Sequence, residues 1–87
     1  MIFIRELLWN DWNVEHIARH NVSPHEVEEV CYSNPSVSRA RNKALRIIGQ
    51  THSGRILTIF LAPRGKGSYF VVTARGATEA ECRRFYK

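Results

Sequence analysis

The hydrophobic period of this chain changes once, near residue 36, and that change constrains its fold more than any single motif. Before it, Val14, Ile17 and Ala18 recur at i, i+3 and i+4, and Val27, Val30 and Cys31 repeat the spacing, which predicts two helices with one buried face each. After it, KALRIIGQT (43–51), RILTIFLA (55–62) and SYFVVTA (68–74) carry the β-branched and aromatic residues of strands.

Local signals place the boundaries. FIRELLW (3–9) is β-rich and runs into Asn10 or Asp11 as a helix N-cap. Asn21 closes the first helix, because asparagine tolerates the left-handed conformation found there. SPHE (23–26) is a capping box with Pro24 at the first helical position, and the second helix ends before Asn34-Pro35. HSG (52–54) reads as a hairpin turn with Gly54, PRGKG (63–67) as a basic, flexible connection, and Thr78-Glu79-Ala80-Glu81 as a capping box opening a last helix. RILTIFLA is nearly continuous in apolar residues, as expected of a central strand covered on both faces.

The predicted order is strand, two helices, a meander of three or four strands, and a helix. That is an α+β fold, with two N-terminal helices and a C-terminal helix packed on a small, mainly antiparallel sheet. At 87 residues, the chain 1–87 reads as one domain.

Charge divides with the period. Residues 1–35 set two arginines against six acids, a net of −4, whereas residues 36–87 set eleven Lys or Arg against two acids, a net of +9. So basic a second half points to a polyanion or an acidic partner. No stretch approaches a membrane span, and MIFIRELLWND is too short and too quickly acidic for a signal peptide, so the expected location is the cytoplasm. Cys31 and Cys82 sit at apolar positions without a CxxC neighbour and read as free thiols.

Walker, GxGxxG, HExxH and nucleophile-elbow motifs are absent from the sequence. His16 and His20 share a helix face, but without a third ligand they make a weak metal motif, so neither metal nor cofactor is expected. His52 sits at a hairpin tip as a possible proton carrier. The stronger constellation is cationic: Arg46, Arg55, Arg75, Arg83 and Arg84 belong to three strands and the closing helix. Strict alternation puts Tyr69, Val71, Thr73 and Arg75 on one sheet face, and Arg83 and Tyr86, three apart, point together. Arginine offers a planar fork to phosphate and stabilises the charge that develops when RNA is cleaved. Tyr86, Glu79 or Glu81 could move a proton, and Tyr69 or Phe70 could stack a base. The same residues also fit a plain structural role, with Arg83 facing the helix dipole, Tyr86 covering the core and Arg75 pairing with an acid of the first half.

Two segments carry a family resemblance. LLWNDWNVEHIARHNVSPHEVEEV (7–30) resembles the opening of BrnT-type toxins, and TARGATEAECRRFYK (73–87) resembles their ending, an arginine at a strand end followed by Thr and an Arg-rich helix closing on Tyr. Asn21 stands where that family usually has Gly, Thr73 where it has Ser, and Gly76 where a basic residue is common. The resemblance implies a RelE-like fold, a metal-independent endoribonuclease that arrests translation, and a cognate antitoxin as partner. It matches Arg75 to the strand-end arginine, Thr78 to the helix start, and Arg83, Arg84 and Tyr86 to the closing cluster. The resulting expectation is catalysis by Arg75, Arg83, Tyr86 and His52, with RNA held by Arg46, Arg55, Arg64, Lys66 and Arg84. A non-catalytic module binding nucleic acid or a protein partner is the alternative.

Overall fold

Each helix begins at the cap its sequence announces. In the computed structural model, which describes residues 3–86, the order is β1 (Glu6–Leu8), α1 (Asp11–Ala18), α2 (Pro24–Cys31), β2 (Ser36–Arg39), a short turn (Arg41–Lys43), β3 (Leu45–Gln50), β4 (Ile56–Gly65), β5 (Ser68–Gly76) and α3 (Glu79–Tyr86). Asn10 caps α1 and Ser23 caps α2, each in a reciprocal capping box, and Asn21 takes φ 59° between them. Thr78 and Glu81 form the third box at the start of α3. Lys87, the last residue of the family-like ending, lies outside the described residues.

The five strands form one mixed sheet in the order β1-β5-β4-β3-β2, with β1 parallel to β5 and every other pair antiparallel. The chain is therefore α+β, with the two early helices following a first short strand. Helices α1 and α2 cover one face, where Ile17, Val27, Val30, Ile47, Leu57, Ile59, Leu61 and Val71 are fully buried. A Cβ at Gly49 would come within 2.8 Å of Val30 Cγ1, so glycine lets α2 settle closely on β3. On the opposite face, α3 covers one end of the sheet, over the paired residues Ile48 and Thr58. Central strand β4 is thus buried on both sides at Leu57–Ile59, and one-sided beyond.

Three expectations change. The buried face of α1 is Asn13 and Ile17, while Ala18 is exposed. β1 pairs with β5 only as far as Phe70, and Asn13 takes over from it: its Nδ2 donates to Leu8 O at 2.9 Å and to Val71 O at 3.1 Å. A polar side chain there satisfies carbonyls that an apolar one would strand. Second, PRGKG is no flexible connection. β4 continues through Gly65, and Lys66 and Gly67, both at positive φ, make a two-residue turn into β5.

Third, the alternation of β5 breaks. Phe60 pairs with Thr73 but Leu61 with Val71, so Val72 is an extra residue. Tyr69 and Val71 consequently face the helices, whereas Thr73 and Arg75 face the other way.

Candidate nucleic-acid interface

The bulge decides which arginines meet. With Val72 inserted, Thr73 and Arg75 join the face that already carries Arg46 from β3 and Phe60 and Ala62 from β4. The guanidinium carbons of Arg46 and Arg75 lie 5.7 and 5.8 Å from the centroid of the Phe60 ring. Farther along the same face, Arg64 lies 5.3 Å from the centroid of Phe70, whose strand partner is Ala62. Two aromatic rings thus carry three cations on a face that α3 leaves open over most of its length.

Beside Phe60 lies a depression of about 450 Å³, lined by Arg41, Arg46, Phe60, Ala62 and Thr73 among others. Its rim is the turn between β2 and β3, where Asn42 and Lys43 take φ 58° and 63° and Ala40 N donates to Ala44 O at 2.8 Å. A left-handed lysine costs roughly 1–2 kcal/mol, and the fold-back brings Arg41 to the pocket. Within it, Arg46 Nε is buried and has no hydrogen-bond partner among the described residues. A buried donor left unmade costs roughly 1–3 kcal/mol, and an anionic or carbonyl oxygen entering the depression would satisfy it.

Arg75 is already engaged. Its Nη1 and Nη2 donate to Glu81 Oε1 and Oε2 at 2.8 and 3.0 Å, a bidentate pair. Glu81 also accepts from Thr58 Oγ1 and from Thr78 N, both at 2.9 Å. The Arg75 bonds, with those of Thr78 and Thr58, outweigh the desolvation of the carboxyl and hold it down at about 2. The same bonds raise Arg75 above its ordinary value.

The remaining expected site residues fall in three places. On α3, Arg83 pairs with Glu79 at 2.9 Å and shares with Tyr86 a shallow depression that also includes Cys82. Arg84 and Tyr86 are exposed, the latter with its ring edge-on to Phe85. Arg83 and Tyr86 point together as the spacing implies, but Arg75 turns to Glu81 rather than to them. On the helical side of the sheet, Arg55 donates to Asn21 O at 2.7 Å and pairs with Glu26 at 3.0 Å. His52 binds Glu29 through its backbone N at 3.0 Å and Nδ1 at 3.3 Å. Arg55 and His52 thus stand apart from Arg46 and Arg75. Exposed Lys66 forms the tip of the β4–β5 turn, next to Arg64.

No protein-family model, curated protein or solved structure matches this chain.

The chemistry therefore rests on the site itself. Among the described residues, no three His, Cys, Asp or Glu side chains are grouped to hold a metal ion. Burial raises the Cys31 thiol to about 12, which leaves it protonated and unreactive near neutrality. A second depression, of about 570 Å³, is lined by Phe3, Ile4, Cys31, Tyr32, Asn34, Pro35 and Val37 and offers no charge to an anion. The grouped arginines and aromatic rings lie on the open face. The sequence analysis missed Arg41 and Phe60 as parts of it. Phe60 could have been found from its register, two residues before Ala62 and opposite the side of Ile59.

Proposed function

We propose that this chain binds single-stranded RNA across the open face of its sheet and acts as the endoribonuclease toxin of a type II toxin–antitoxin pair, built on a RelE-like arrangement of sheet and closing helix. The observation that carries the RNA reading is the unpartnered Arg46 Nε beside the Phe60 ring. A cation lacking an acceptor next to an aromatic face fits a nucleotide, which brings phosphate oxygens and a stacking base together. The family-like ends of the chain supply the reading of toxin and antitoxin partner, in the cytoplasm.

In the proposed reaction the 2′-hydroxyl of the bound nucleotide attacks the adjacent phosphorus and the 5′-oxygen of the next nucleotide leaves. The products are a 2′,3′-cyclic phosphate and a 5′-hydroxyl, and no metal takes part. Arg46 and Arg75 stabilise the charge that develops on the phosphoryl oxygens. Glu81 is ionised and, once Arg75 turns to the phosphate, takes the proton of the 2′-hydroxyl. A solvent water protonates the departing 5′-oxygen, and Tyr86 lies on the outer side of the helix that carries Glu81.

A specific observation favours the second reading, a binder that does not cut: Arg75 is closed by Glu81, and His52 lies on the other side of the sheet. Induced expression separates the two. Growth arrest with fragmented RNA, relieved by Arg46→Ala and Arg75→Ala, is the outcome expected of the nuclease. Normal growth and intact RNA, with RNA still bound by the purified protein, would leave the non-cutting binder.

A further inference from the structure

We infer that Trp12 forms a second base-stacking station next to the Phe60 pocket, so that the chain takes a single strand with at least two bases unstacked. This deepens the RNA-binding reading above and rests on it. Trp12 stands in the first turn of α1 with 55% of its surface exposed, a large apolar area that the core does not use. Its ring lies parallel to that of His16, with centroids 4.9 Å apart and planes 7° apart. It also meets Phe70, at 6.1 Å and 23°. The guanidinium of Arg64 rests on Phe70 in turn. This row of flat groups fixes the Trp12 ring without burying it, so little conformational entropy is lost when a base lies against it.

The row continues the open face. Phe70 is diagonal to Phe60 across the β4–β5 pair, a separation of about 7–8 Å in sheet geometry, and Arg64 and Lys66 supply cations at its end. A single-stranded nucleic acid needs both features, a basic track and successive aromatic surfaces. A duplex hides the faces of its bases and leaves such a row unused. Helix α1 carries Asp11 and Glu15 beside Trp12, so this station contributes stacking rather than a phosphate contact.

The test uses fluorescence. Trp9, half-buried with its indole N–H on Glu28, is replaced by phenylalanine so that Trp12 alone reports. The protein is titrated with an oligouridylate of about twelve nucleotides, within the footprint of single-strand-binding surfaces, and with a duplex of equal length. Expected are quenching by the single strand and not by the duplex, affinity about tenfold weaker in Trp12→Ala with an unchanged salt slope, and recovery in Trp12→Phe. Tight binding of the oligonucleotide without quenching, and with Trp12→Ala as good as wild type, overturns the station while leaving the RNA reading in place. Failure of the wild type to bind RNA at all overturns both.

Discussion

The two faces of the sheet use the same cations in opposite ways. On the helical face basic side chains meet carboxylates: Arg55 pairs with Glu26, and the imidazoles of His25 and His52 both reach Glu29. On the open face Arg46 and Arg64 lie over aromatic rings, which attract them without using up their capacity to donate to an anion. The first arrangement closes a structure, and the second leaves the guanidiniums of Arg46 and Arg64 without a carboxylate partner among the described residues. Arg75 stands between the two, resting over Phe60 while Glu81 holds it. Arginine content alone says little about RNA; what each arginine faces says much more.

Substitutions sharpen that comparison, beginning with the largest effect. Asn13→Ala strands buried carbonyls and removes part of the α1 cap, so it should cost roughly 3 kcal/mol in denaturant unfolding. Glu81→Gln loosens the α3 start and should cost roughly 1–2 kcal/mol near neutrality while strengthening RNA binding, because Arg75 is released. Its acid titration carries a sign. The Glu81 carboxyl titrates at about 2 in the fold against an ordinary 4.5, so its contribution is complete above the upper value and disappears as pH falls toward the lower one. Glu81→Gln should flatten this acid limb in thermal melts. Glu6, lowered by Ser68 and Arg5, leaves a remnant of the same sign. A variant that bound RNA more weakly than wild type would show that Glu81 positions Arg75 rather than withholding it.

Smaller effects test the open face by itself. Phe60→Leu keeps apolar volume but loses the ring, and should weaken oligouridylate binding about tenfold with unfolding changed by less than roughly 1.5 kcal/mol. Arg64→Gln should weaken it only two- to fivefold, roughly, and lower the salt slope by about 0.7. Arg55→Gln, on the other face, should leave binding unchanged; a loss there would erase the distinction between the faces.

Much of the fold was legible because its signals are local. Capping boxes at Ser23 and Thr78, the left-handed Asn21 and the turn at Gly54 depend on neighbours within four residues, and the structure keeps all of them. The interface was less legible because it depends on register. One extra residue at Val72 reverses the side on which Arg75 emerges relative to Tyr69, and no composition rule announces that insertion. Asn13 was passed over because periodicity counts apolar residues, and the demand it meets is a carbonyl contributed from 58 positions away. Trp12 was passed over for a related reason, since its neighbour Phe70 is distant in sequence.

The short first strand has a consequence in time. Strands β2 to β5 join near neighbours along the chain, whereas β1 pairs across a separation of 62 residues, and contacts of that span bring their reward only after the intervening loop is closed. That separation predicts a meander that organises early and a β1–α1 arm that docks afterwards. On that order Trp12 and Asn13 arrive with the arm, and the Trp12 end of the open face is expected to form last.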